Sequence, residues 1–366
     1  MRPSFTLGIE EEYQTVDPET RDLRSHIATE MLAKGKLRLE ERVKAEMHQS
    51  VIEVGTRVCS NIQVAQEDLF DLRRNMIALA EEHDLLLIAG ATHPFADWRV
   101  QEIYPDPRYA QVVEDLQLVA RANLIFGLHV HVGIEDREAA IRIMNSLRYF
   151  LPHILALSTN SPSGSAWRPV TKATAPRSSK TSPAPTCPTA SPATPSSRAT
   201  STFSSRPSPS TTQKIWWDVR PHPFFDTVEV RICDIPLRAH ESIAIAALIQ
   251  ATACKLWHLH SRNVDYRQYS RALLMENKFR AVRYGLDGKM IDFGKEAEVP
   301  VRALILEYLA FVDDVLDELG SRTEISYIHT MLREGSGADR QLKVFRETGS
   351  LRSVVDYMAA ETRAGL

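Results

Sequence analysis

Residues 5–17 read Phe-Thr-Leu-Gly-Ile-Glu-Glu-Glu-Tyr-Gln-Thr-Val-Asp, and this stretch decides how the rest of the chain is read. Its polar and apolar residues alternate with the period of a β-strand. On a strand, Glu10 and Glu12 share one face and Glu11 points to the other. Two neighbouring carboxylates repel unless a cation lies between them or one of them is protonated. For this motif by itself a solvated strand face is the commoner explanation, so its meaning depends on what the other strands carry.

Three further stretches have strand character: AEMHQSVIEVGTRV (45–58), IFGLHVHVGI (125–134) and DTVEVRICDI (226–235). Helical spacing of apolar residues appears in 61–83, in 136–158, in 241–260 and from Val301 onward. Strands with a polar side, interleaved with amphipathic helices, predict an α+β fold. Its sheet has an open polar face, and helices pack on the other face.

The bulk composition excludes several classes. The 366 residues are 43% hydrophobic and 25% charged, with a net charge of −3. No basic stripe interleaved with aromatics marks a nucleic-acid partner. Cys59, Cys187, Cys233 and Cys254 have no CxxC spacing, so neither a zinc site nor a disulfide framework is indicated. The first residues lack an apolar leader and no apolar run is long enough to span a bilayer, which predicts a cytoplasmic protein with no membrane partner. Oligomeric state is open, with a homo-oligomer among the possibilities.

The acidic strand gains meaning from the other three. Glu53 lies on a strand whose opposite side carries Ile52 and Val54, and Glu46 precedes it by seven residues. His129 and His131 share one side of an apolar strand, a pattern that favours a metal or phosphate site over two isolated core histidines. Glu229 and Arg231 repeat the alternation, and Arg220 lies upstream in WWDVRP. Carboxylates with an imidazole suit Mg²⁺ or Mn²⁺. Arginines beside them suit phosphate oxygens. No Walker-type loop or GxGxxG occurs, so a nucleotide would be held through metals and arginines.

Taken together and in this order, GIEEEY, VIEVGT, ATHPF (91–95), FGLHVHVG, IWWDVRPHP, TVEVRICD and RYGLDG resemble the carboxylate–amine ligase family related to glutamate–cysteine ligase. The resemblance runs over nearly the whole chain. It implies a glutamine-synthetase-like catalytic sheet in one domain spanning residues 1–366, with ATP and Mg²⁺ or Mn²⁺ as cofactors. By motif, it assigns metal binding to Glu10, Glu12, Glu46, Glu53, His129 and Glu229. Arg231 and Glu53 take catalytic roles, and Arg220, Arg231, His131, Asn277 and Arg283 become candidates for ATP or substrate contacts. The implied reaction phosphorylates a glutamate-like carboxylate, and a cysteine-like amine then attacks the acyl phosphate. Three other readings compete with it: a metal-dependent phosphotransferase on the same sheet, a non-enzymatic protein with solvated acidic strands, and an impaired ATP-binding remnant.

The remnant reading arises from residues 163–213. This block contains no Asp, Glu, Leu, Ile, Asn, His, Tyr or Met and holds nine of the 20 prolines. It has no face to bury. A Ser/Pro/Thr-rich linker is one explanation, but codon structure favours another. Ser, Pro, Thr and Ala codons have C in the middle position, and in a GC-rich gene a one-base slip moves the C- or G-rich wobble position there. The composition therefore points to a reading-frame shift beginning near Pro162 and compensated near Lys214. Ser163-Gly164 and Thr171–Ala175 are compatible, in the shifted frame, with the Phe-Trp and Tyr-x-x-Tyr-Arg segments that the family places there. Sequencing the coding DNA from codon 162 to codon 214 checks this: two compensating frame changes are expected, and an unbroken frame matching homologous genes would refute it.

Overall fold

The computed structural model describes residues 2–25, 28–117, 121–122, 124–162 and 217–366; the block at 163–213 and the reading placed on it lie outside these. Strands β1 (Leu7–Val16), β2 (Val43–Ala45), β3 (Val51–Gly55), β4 (Leu86–Ile88), β5 (Gly127–Gly133), β6 (Val219–Pro221) and β7 (Thr227–Asp234) form one sheet. Its order is β2-β3-β1-β5-β7-β6, with β4 beside the far end of β1, and every pairing is antiparallel. A separate hairpin joins β8 (Lys289–Asp292) to β9 (Ala297–Pro300). The helices are α1 (Ala28–Leu39), α2 (Ile62–Glu81), α3 (Pro107–Leu116), α4 (Arg137–Leu147), α5 (Leu151–Ser158), α6 (Ala239–Ser261), α7 (Arg271–Tyr284), α8 (Val301–Val312), α9 (Leu316–Leu319), α10 (Arg322–Glu334), α11 (Gly337–Thr348) and α12 (Leu351–Arg363).

One side of the sheet is apolar. Leu7, Ile9, Leu128, Val130, Val132, Val228 and Val230 are buried there together with α6 residues such as Ala246 and Ile249. Helices α2 and α6 cover this side, touching β1 and β5, and α5 packs on β7. The mixed helix-and-sheet class read from the sequence is the one observed.

Three readings of the sequence need correction. Residues 45–58 are not one strand: the chain turns between β2 and β3, which pair as a hairpin. Residues 136–158 form two helices rather than one. Pro152 has no N–H to donate and its ring would crowd the carbonyl four residues back, so it is tolerated only in a first turn, and α5 begins at Leu151. Helix α6 is long and apolar enough to cross a membrane by length and composition, yet 78% of that apolar window is buried inside the protein. It is apolar all round because it is the central core helix.

Glu11 enters the core with β1. Its side chain and that of Arg73 on α2 are both 0% exposed. Arg73 Nη2 donates to Glu11 Oε1 at 2.7 Å and Nε to Oε2 at 3.1 Å. The Ser242 hydroxyl on α6 donates to the same carboxylate at 2.5 Å, and the Tyr13 hydroxyl also donates to it. Arg73 Nη1 reaches the Leu237 carbonyl at 2.6 Å. Removing one member of such a pair leaves an uncompensated buried charge, so Arg73→Met is expected to cost about 3–5 kcal/mol in urea denaturation. The double replacement Glu11→Leu/Arg73→Met should recover much of that loss.

Candidate active site on the central sheet

The polar face of the sheet is built by register. Glu10 stands opposite His129 on β5, Glu12 opposite Glu53 on β3, and Lys44 on β2 opposite Glu53. On the other flank His131 pairs with Glu229 on β7, and Glu229 with Arg220 on β6. The β5–β7 register shifts between Leu128 and Val130, so the ladder is irregular at His129. Bulges of this kind re-aim side chains near functional sites.

Two groups of potential ligands result. Glu12, Glu46 and Glu53 offer carboxylate oxygens all within 4.8 Å of one another, and Glu10, His131 and Glu229 do the same with two carboxylates and an imidazole. The β2–β3 turn explains the first group. On a continuous strand Glu46 and Glu53 would stand about 23 Å apart on opposite faces, and the hairpin folds them together. His129 Nδ1 lies 3.2 Å from Glu10 Oε2, so it orients that carboxylate.

The electrostatics differ between the two ends. Burial pushes the Glu46 carboxyl well above the usual carboxylate range, and the charges of Glu12 and Glu53 add to it. Burial also raises Glu12, reinforced by Glu53 and opposed by His129 and by the Gly127 N–H, which donates at 2.6 Å. At the other end, burial would raise Glu10, but the hydrogen bond from His129 and the nearness of the His129 and His131 imidazoles hold it well below its ordinary value. Glu229 is also held low: burial is outweighed by Arg231 and Arg220. Arg220 Nε donates to it at 2.6 Å, and Arg231 pairs with its other oxygen.

The donor chemistry fits hard divalent cations. Raised carboxyls packed together are the usual mark of a site awaiting positive charge. His131 supplies a second sign: its Nδ1 is held by the Thr227 hydroxyl at 3.1 Å, while buried Nε2 has no hydrogen-bond partner among the described residues. Nε2 lies 3.8 Å from Glu10 Oε2. An imidazole with one nitrogen fixed and the other left over is the arrangement of a metal-ligating histidine. Five carboxylates and one imidazole suit Mg²⁺ or Mn²⁺ better than a thiophilic metal.

The structure thus brings together Glu10, Glu12, Glu46, Glu53, His129, His131, Glu229, Arg220 and Arg231. It does not bring in Asn277. That residue is 2% exposed on α7, and its carboxamide both donates to and accepts from the Ile291 backbone at 2.8 Å, bracing β8. Arg283 closes α7, its guanidinium 5.6 Å from the Tyr284 ring centroid. Lys44, Thr227 and His222 are at the face without having been singled out from sequence. His222 stacks on Phe225 at 4.5 Å and meets His131 edge-on at 5.3 Å. Burial pushes its imidazole down to about 4. The RPHPFF run (220–225) holds the signal for His222, whereas Lys44 becomes visible only with the hairpin.

Among known proteins, the chain matches the family described as Glutamate-cysteine ligase family 2 (GCS2) over residues 6–166 and 184–357. A protein of Solibacter usitatus (strain Ellin6076), named "Putative glutamate--cysteine ligase 2", is 58% identical over 373 residues, spanning 100% of this chain and 95% of that protein. A protein of the same name from Roseiflexus sp. (strain RS-1) is 50% identical over 369 residues, spanning 99% and 96%. The solved glutamate–cysteine ligase of Francisella tularensis in complex with AMP has a TM-score of 0.63 at 12% identity, covering 98% of this chain and 89% of that one. That likeness is one of fold.

The crowding of Glu12, Glu46 and Glu53 has a measurable consequence. Without divalent ions, Glu46→Gln should leave the thermal midpoint unchanged or raise it, because a like-charge contact is relieved. With Mn²⁺ the wild type should gain stability by mass action, and Glu46→Gln should lose most of that gain in a thermal-shift titration.

Proposed function

Because the chain belongs to glutamate–cysteine ligase family 2, we propose that the polar sheet face is where this ATP-dependent carbon–nitrogen ligase activates a glutamate-like carboxylate for a cysteine-like amine. The observation that carries the assignment is the pair of ligand groups side by side on one face, flanked by Arg220 and Arg231. Glu12, Glu46 and Glu53 would hold one divalent ion, and Glu10, His131 and Glu229 another. Mg²⁺ or Mn²⁺ bound there would neutralise phosphate oxygens and align the γ-phosphoryl group.

This chain's own residues do the rest on this reading. His129 keeps Glu10 ionised and aimed, and Thr227 fixes the His131 ring. Arg231 is anchored by Glu229 and turns its remaining donors to the phosphoryl group as charge builds on it. Arg220 shares that anchor and serves the nucleotide. The face is taken to be open to ATP, with the helices behind it providing rigidity. Transfer of the γ-phosphoryl to the γ-carboxylate of a glutamate-like substrate gives an acyl phosphate and ADP. Attack by the amine of a cysteine-like substrate then forms the amide and releases phosphate. Both substrates are small amino acids and the compartment is the cytoplasm.

The test is ATP-dependent amide formation by the full chain, measured together with ADP release and repeated on a chain whose frame is restored across residues 163–213. Arg231→Ala should lower turnover by about 10²–10³-fold, and Glu53→Gln should abolish it, with the far-ultraviolet spectrum unchanged in both. Normal turnover in either folded variant removes that residue from the mechanism. ADP release with no amide product would instead indicate phosphotransfer to another acceptor.

A further inference from the structure

Lys44 lies between the two ligand groups. Its Nζ is 2.9 Å from Glu53 Oε1 and 3.4 Å from Glu10 Oε1. Glu53 belongs to one group and Glu10 to the other, so a single ammonium is bonded to a carboxylate oxygen of each. The hairpin register fixes this placement, since Lys44 faces Glu53 directly across β2 and β3.

Of the side chains, lysine is the nearest substitute for a metal ion. It is a compact charge with three donors on a flexible stem, whereas an arginine fork is rigid and planar. The Lys44 side chain is 52% exposed, against 10% for Glu53 and 21% for Glu10. The carboxylates are therefore fixed and the ammonium is tethered from the solvent side, so it can leave without disturbing the core. A divalent ion on Glu53 would sit a few ångströms from the ammonium on the same carboxylate and be repelled by it. The two cations therefore compete for Glu53.

On the reading of the face as a divalent-cation site, we propose that Lys44 is a built-in competitor for those cations. Its ammonium bridges the two ligand groups in the metal-free protein and swings out to solvent when the ions enter. It holds together carboxylates that would otherwise repel across β1 and β3, and it sets how tightly the face binds metal.

Mn²⁺ titration of the full-length protein by calorimetry, without nucleotide, is the test. Lys44→Gln is expected to bind Mn²⁺ about two- to fivefold more tightly than wild type, the range of one partly exposed ion pair. Lys44→Arg, which keeps the charge, should stay near wild type. Mn²⁺ binding to wild type with equal or weaker binding to Lys44→Gln overturns the role of Lys44 and leaves the metal reading standing. Absence of Mn²⁺ binding in both proteins overturns the metal reading, and the competitor role with it. A second measurement needs no variant: acylation of Lys44 by an amine-reactive reagent, followed by peptide mass spectrometry. Mn²⁺ should speed that labelling severalfold in the wild type, and unchanged or slower labelling overturns the proposal.

Discussion

A strand cannot present Glu10, Glu11 and Glu12 in a row without sending one carboxylate into the core behind it. Here that carboxylate is Glu11, fully buried and met by an equally buried Arg73. Burying an isolated ion costs several kcal/mol even after relaxation, so the pairing is obligatory for β1. The guanidinium takes both Glu11 oxygens and also reaches the Leu237 carbonyl, which ties β1 to α2 and to the chain that follows β7. A one-residue slip of β1 would still offer Arg73 a glutamate, but it would turn Leu7, Ile9 and Tyr13 out of the core and bring Gly8 and Gln14 to that side. The register of the functional face is therefore enforced from the opposite side of the sheet.

With β1 fixed, charge on the polar face grades from one edge to the other. At the β6–β7 edge Glu229 is paired with both Arg220 and Arg231. In the middle, Glu10 is balanced by two imidazoles. At the β2–β3 edge, Glu12, Glu46 and Glu53 have Lys44 and a few backbone N–H groups against them, and the Glu12 and Glu46 carboxyls rise. Like charges at about 4 Å still repel by several kcal/mol at the effective dielectric of a protein surface. On the proposed reading, the gradient would give a phosphate chain an arginine end to meet and leave a carboxylate end that needs added cations, with Lys44 as the protein's own partial answer.

How much of this was legible in the sequence follows from the range of each signal. The period of two on β1, β5 and β7 is local, so the facing of Glu10, Glu12, His129, His131, Glu229 and Arg231 could be read directly. The resemblance to carboxylate–amine ligases added the chemistry. What stayed hidden depends on turns and on long-range pairing. The bend between β2 and β3 carries no Gly, Pro or Asn, so residues 45–58 looked like one strand and Lys44 had no visible partner. Arg73 lies 62 residues from Glu11, and nothing local marks it as the mate of a buried acid. Asn277 shows the opposite error. A polar residue in a matched region looked like a ligand contact, whereas it satisfies the backbone of β8.

Both flanks of the block at 163–213 are held by buried polar contacts. On the near side, Asn160 donates its backbone N–H to Asp234 and its side-chain amide to the Ile235 carbonyl, and Gln341 on α11 donates to its Oδ1. On the far side, Asp218 receives both of its bonds from buried Lys278 at 2.8 Å just before β6 begins. Each flank is thus anchored by buried polar contacts to elements outside the block, and such contacts are costly to leave unmade. Strand β6 then pairs with β7 through Arg220 and Glu229. Among the described residues, the side chains gathered on the polar face come from the strands of the sheet and from the β2–β3 turn. The residues proposed for metal and phosphate chemistry therefore lie on elements held by contacts among the described residues.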